Sequence, residues 1–184
     1  MQVATVACDK YQIDLVEDKM RQALKLLGGI DSFVKEGDKV LIKPNLLSPH
    51  NPDLGVTTHP VIVRSLIKLI QEAGGIVQVG ESSGGMLVNR SLTAQAFAET
   101  GIKEVCQELG AEIINFDRVE TSIRSGATTG EELPLPMPLL EADVVISVPK
   151  LKTHSLTLFT GAIKNLYGCI KKKKKAEYHR LYPN

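Results

Sequence analysis

The chain has 184 residues, 43% hydrophobic and 23% charged, with a net charge of +1, the profile of a globular domain long enough to build its own core. Near-neutral charge, 4% aromatics and no Trp speak against a nucleic-acid groove or a base-stacking platform, and no apolar run reaches membrane-spanning length. Cys8, Cys106 and Cys169 are too far apart for a C-x-x-C pair, so neither a zinc nor an iron–sulfur set is expected within this chain.

Met1 to Val6 lacks a basic-then-apolar leader, which makes the cytoplasm the expected location. Val3 to Ala7 alternates like a first strand, and Leu15 to Leu27 carries apolar residues at helical spacing up to a Gly28-Gly29 stop. Val40-Leu41-Ile42 is a strong buried strand ended by Lys43-Pro44-Asn45. The loop from Leu46 to Thr58 is longer than a plain connection needs. Pro60 opens the next helix, with Thr58 or His59 as its cap. Ile76 to Gly80 is the third strand, followed by Glu81-Ser82-Ser83-Gly84-Gly85, a glycine- and serine-containing turn without phosphate-loop spacing. Ser91 to Leu109 reads as helix broken at Thr100-Gly101, and Ile113 to Phe116 as a strand.

From 118 to 138 the pattern dissolves into a surface excursion, with a hairpin as one reading, before Asp143 to Ile146 returns as a buried strand. Strand–helix alternation of this kind predicts an α/β fold, a three-layer sandwich around a mostly parallel, Rossmann-like sheet. One domain spans 1–184. Residues 171–184, beginning with five consecutive lysines, read as an exposed basic tail, and the absence of a closing element suggests an incomplete domain.

The chemistry concentrates after the last strand. If Pro149 to His154 is extended, Lys150, Lys152 and His154 share one side, because strand side chains alternate with period two. Two cations and an imidazole over one spot suit an anionic substrate, or an enolate formed from it. Ligands of open α/β sheets bind beyond the carboxyl ends of the strands. Lys43, Asn45, Thr58, His59, Glu81, Ser82, Lys164 and Asn165 are therefore expected to join the site as ligand-binding groups. Lys152 and His154 are the candidate catalytic pair, with His154 as general acid or base. No metal site is assigned. Cys106 is expected in the core, and Cys8 and Cys169 as structural thiols.

Lys43-Pro44-Asn45, Thr58-His59-Pro60, Val148 through His154 and Thr160 through Gly168, in that order, resemble the signature blocks of the family catalogued as domain of unknown function 362 (DUF362). The resemblance implies that this chain corresponds to the N-terminal part of that domain. It also implies a 4Fe-4S cluster in a longer parent protein, since many members carry a separate ferredoxin-like segment; no such segment lies in this chain. The expected function is an enzyme domain that binds a small carboxylate or phosphate at the carboxyl edge of the sheet. The alternative is a redox-associated module whose lysines dock an acidic ferredoxin-like partner. The sequence names no cofactor for this chain, and neither nucleic acid nor membrane is an expected partner.

Overall fold

A computed structural model describes residues 2–84, 91–126, 132–155 and 157–181. In chain order, α1 (Ile13–Leu26) leads to β1 (Lys39–Pro44), and a long loop leads to α2 (Pro60–Glu72). Strand β2 (Ile76–Glu81) is followed by α3 (Thr93–Glu99), α4 (Ile102–Leu109) and β3 (Glu112–Asn115). Strands β4 (Thr121–Ser125) and β5 (Glu132–Pro136) form an antiparallel pair, and a short α5 (Met137–Glu141) leads into β6 (Val144–Val148). A second small ribbon, β7 (Lys152–His154) and β8 (Leu158–Thr160), precedes α6 (Ala162–Asn165) and α7 (Lys172–Leu181).

The central sheet has the order β3-β2-β1-β6, and every pairing in it is parallel. Val40, Leu41 and Ile42 are all fully buried, because a parallel strand in mid-sheet is covered on both faces. On one face, Val40, Ile42, Val77 and Val79 pack against Val63, Leu66, Ile67 and Ile70 of α2 and against Ala96, Phe97, Ile102 and Cys106 from the α3–α4 pair. On the other, Leu41 packs with Ile114, Phe116 and Cys169, flanked by Val119, Leu139 and Ala142. These two cores make the three layers. The helix expected over Ser91 to Leu109 does break at Gly101, which takes φ 76°, a left-handed conformation that glycine tolerates without strain.

Three expectations fail. Strand β6, expected to be buried, forms an edge of the sheet and leaves Val145 40% exposed. Val3 to Ala7 forms no strand, and Val3 is 81% exposed. Alternation shows that a segment is able to pair, but a strand also needs an edge to pair with, and this one has not docked on the sheet. The basic tail is not exposed throughout either, although Lys174 and Arg180 are exposed. It enters α7, and Lys175 is buried at 8% exposure. Its Nζ donates to the Ser82 carbonyl, to Ser82 Oγ at 3.0 Å and to the Ser83 carbonyl at 3.4 Å. Of the turn after β2, Gly85 lies outside the described residues, as do residues 182–184 of the tail.

Candidate functional site

Strand β1 is the hinge of the topology. The chain leaves it for the α2 face, and β2 and β3 are added outward on one side. The chain later returns to the other side of β1 as β6, and the segment after β6 reaches the opposite face, where Cys169 joins Leu41. Loops that leave neighbouring strands toward opposite faces open a crevice at the strands' carboxyl ends. Lys43 and Pro44 stand in register with Ser147 and Val148 at that point.

The base of this rim is a closed polar mesh. Lys43 is fully buried; it donates to the Glu81 carboxylate and, at 2.9 Å, to the Pro44 carbonyl. Asn165 Oδ1 lies 3.4 Å from its ammonium. Glu81, 2% exposed, also accepts the Ser82 amide at 2.8 Å and the Leu46 amide at 3.4 Å. A carboxylate held by a cation and two amides retains the partners that burial would otherwise remove. Asn165 ties the mesh to β1 and β6: its Nδ2 donates to the Lys43 carbonyl at 2.9 Å and to Ser147 Oγ at 3.0 Å. Asn45 Nδ2 donates to Asn165 Oδ1 at 3.2 Å.

Gly168 closes this mesh from above. A β-carbon there would lie 2.5 Å from Lys43 Nζ and 2.8 Å from its Cε, and nearer still to Glu81 Oε1. Behind it, burial pushes the Cys169 thiol up to about 11, in keeping with a structural role, and pushes Lys175 down to about 8. Ser82 Oγ donates to Asp117 at 2.8 Å, so Ser82 belongs to this supporting layer.

Thr58 joins the end of the long loop to the exit of β1 and to the end of β6. Its hydroxyl accepts the Asn45 amide at 2.8 Å and donates to the Val148 carbonyl at 2.6 Å. Thr58→Val keeps the shape but strands two buried backbone groups, so a loss of about 1–3 kcal/mol is expected. Chemical denaturation of the two proteins checks this, and a change below about half a kcal/mol would show that the linkage is dispensable.

The outer rim is more open. Lys152, half-buried on β7, donates to the Val56 carbonyl. Burial brings its ammonium down to about 8; Glu81 opposes the shift, and Lys164 and Lys150 add to it. His154 is half-buried while Thr153 between them is exposed, so Lys152 and His154 do share one side of the strand. His154 Nδ1 accepts the Thr157 amide at 3.2 Å, which leaves the proton of a neutral ring on Nε2. Lys150 donates to the Tyr11 hydroxyl at 2.9 Å. Lys164 lies over the Tyr167 ring at 4.7 Å, and burial lowers its pKa.

His59 caps α2, accepting the Val61 amide at Nδ1 over 3.3 Å. Its ring stacks on Tyr11 with centroids 4.0 Å apart and the two planes nearly parallel, and its Nε2 lies 3.5 Å from Asp53. Burial lowers its pKa against the pull of Asp53, which favours the neutral ring that a cap acceptor requires.

The sheet edge therefore gathers the expected residues into two layers. Lys43, Glu81, Ser82 and Asn165 are locked inward, with Asn45 and Thr58 bridging them to the loop. Lys150, Lys152, Lys164 and His154 are half-buried, and His59 anchors the loop. Sequence reasoning missed the parts played by Tyr11, Ser147, Gly168 and Lys175. Gly168 ended a quoted block, Ser147 adjoined one and Lys175 stood in the lysine run, but what each contacts follows only from tertiary placement.

The family model described as Domain of unknown function (DUF362) matches residues 40–184. Thylakoid-associated protein sll1697 from Synechocystis sp. (strain ATCC 27184 / PCC 6803 / Kazusa) is 35% identical over 178 residues, covering 96% of this chain and 53% of its own length. The chain thus spans about half the length of that curated relative. No helix among the described residues is long and apolar enough to cross a membrane.

Proposed function

The chain belongs to the DUF362 domain family, and from that premise we propose that it is an enzyme domain binding a small anion, a carboxylate or phosphate ester, at the carboxyl edge of its sheet. The observation that carries this reading is positive charge without a counter-ion. Lys150, Lys152 and Lys164 meet a tyrosine hydroxyl, a backbone carbonyl and an aromatic ring. None of the three pairs with a carboxylate among the described residues. A ligand's negative charge would complete them. In this reading Lys152 binds the anion beside the reacting atoms, Lys150 and Lys164 neutralise it, and His154 moves the proton. Lys43, Glu81, Ser82 and Asn165 hold the rim in shape, and Asn45, Thr58 and His59 position the loop beside it.

Lys152→Ala is expected to weaken binding of phosphate or short carboxylates at least tenfold, about 1.4 kcal/mol, with the fold retained. Isothermal titration checks this, and an unchanged affinity would remove Lys152 from the site. The pH dependence has a definite sign. The protonated ammonium attracts the anion, and it loses its proton near pH 8, so affinity should fall as pH rises through that value. Lys152→Arg, which stays charged, should flatten the profile.

A second reading uses the same lysines as a docking face for an acidic ferredoxin-like protein carrying the iron–sulfur cluster. It is favoured by Leu151, Leu158, Phe159 and Ile163, which are 76%, 82%, 61% and 88% exposed in the same segments. Such association would weaken steeply with salt, whereas binding of a small ligand between half-buried lysines would respond less. We also place the chain in the cytoplasm. Contact with a membrane surface, as the relative's name suggests for that protein, is the alternative that fractionation of cells would decide.

A further inference from the structure

We propose that the cleft between α3, α4 and the outer strand β3 is a second binding site, suited to a phosphate monoester with a small apolar body. It shares no residue with the site above and stands whether or not that reading holds.

The end of the sheet makes room for it. Strand β3 closes the sheet on that side among the described residues, and α4 turns away from α3 at Gly101. Between the two helices and the strand lies a cavity of about 280 Å³, just under the roughly 300 Å³ at which pockets for drug-sized ligands begin. Phe97 of α3 and Ile113 of β3 give it an apolar lining. Side chains alternate along a strand, so Asn115 shares the Ile113 face and lines the same cleft. Asn115 ends β3 and stands in register with Glu81. The cleft therefore opens toward the carboxyl end of the sheet, with β2 between it and β1.

The polar lining carries one sign of charge. Lys103 and Gln107 lie one turn apart on α4, and Arg118 follows β3; all three line the cleft. Among the described residues no carboxylate lines it, and neither cation pairs with one elsewhere. Asn115 Oδ1 accepts the Asp117 amide at 3.0 Å, which holds the side chain in place and leaves its amino group to donate into the cleft. The neighbouring face of α4 is the contrast. There Glu108 takes both prongs of Arg64, at 2.5 and 2.7 Å, and the Leu109 carbonyl accepts from Gln71 at 2.7 Å. One face of the helix is satisfied within the protein, and the other offers donors and positive charge to a ligand.

This lining selects the class of ligand. A phosphate monoester carries nearly two negative charges near neutral pH and three terminal oxygens that accept hydrogen bonds. Two cations and two amide side chains match that count; a carboxylate brings a single charge and two oxygens. Arginine grips phosphate through paired hydrogen bonds, and lysine acts on it as a point charge. The Phe97 and Ile113 lining then takes the organic part of the ester out of water, which inorganic phosphate cannot exploit.

The test uses the full chain and phenyl phosphate as the probe, with inorganic phosphate and benzoate beside it. Backbone amide NMR shifts, followed through a titration, locate each ligand and give its affinity at that place. Phenyl phosphate is expected to shift the amides of Lys103, Gln107, Asn115 and Arg118, and to bind there at least roughly tenfold more tightly than either comparison ion. Arg118→Gln and Lys103→Gln should each weaken it at least about tenfold. Both side chains are exposed, so these variants keep the fold. Lys152→Ala, and Lys25→Gln as an exposed cation elsewhere, should leave the affinity of the cleft unchanged. Shifts that gather around Lys152 and vanish in Lys152→Ala overturn the proposal and leave the carboxyl-edge site standing. Equal losses in Arg118→Gln and Lys25→Gln reveal a general charge effect and overturn it, as does a lack of shifts at millimolar phenyl phosphate. Benzoate bound in the cleft as tightly as the ester overturns the choice of phosphate.

Discussion

Lys43→Met is expected to destabilise the protein by about 3–5 kcal/mol, the usual consequence of removing one partner from a buried ion pair. The methionine replaces the stem of the lysine well enough. What it cannot replace is the charge opposite Glu81, a carboxylate 2% exposed with no route to water. The two amide donors on Glu81 soften the loss, and they are why it should not exceed this range. Adding Glu81→Leu to Lys43→Met should recover part of the stability, since an apolar pair needs no neutralising partner. Recovery will be incomplete, because the Ser82 and Leu46 amides then lose their acceptor. Urea denaturation of the two variants and the wild type measures all of this. A loss under about 1 kcal/mol for Lys43→Met would mean that the pair is solvated or dispensable.

Gly168→Ala should be nearly as damaging, about 3 kcal/mol, at the upper end of the overpacking range. Gly168 is not among the glycines with positive φ, so the cost is steric and not conformational. The atoms in the way belong to the buried Lys43–Glu81 pair, which cannot swing aside as a surface side chain would. The two residues are therefore coupled. In a Glu81→Ala background the nearest obstructing atom is gone, and Gly168→Ala should cost measurably less. Strictly additive losses would show that the glycine does not close on the pair.

The mid-sheet strands were legible from residues alone, because Val40-Leu41-Ile42 is fully buried and Val77 and Val79 turn inward, as strands in the middle of a parallel sheet require. The break at Gly101 was equally plain. The error at Val3 to Ala7 has a simple cause: period two describes a side-chain pattern, whereas pairing needs a vacant edge at the right place. Lys43 was placed at the rim as a ligand-binding group, whereas its ammonium is tied inward to Glu81. Its partner Glu81 is 38 residues away, and whether a lysine at a strand end meets water or a carboxylate is decided by what folds over it. The lysine run misled for a related reason. Five like charges in succession suggest solvation, yet one of them, Lys175, turns inward because three oxygens of Ser82 and Ser83 are waiting for a donor. Strand alternation set Lys152 and His154 on one side of β7, where both are half-buried, while Lys150 lies before that strand.

The contacts between Lys43 and Asn165 span 122 positions of the chain, and this fixes an order of events during synthesis. A ribosome releases the first strand and its lysine long before the asparagine and glycine that cover it exist. Until then Lys43 and Glu81 remain hydrated, even once β6 has been made and can pair with β1. Closing so long a loop comes late in folding, after local helices and neighbouring strands have formed. A nascent chain stopped short of Gly168 would carry most of its apolar core but no lid over its charges, a state that chaperones are suited to hold.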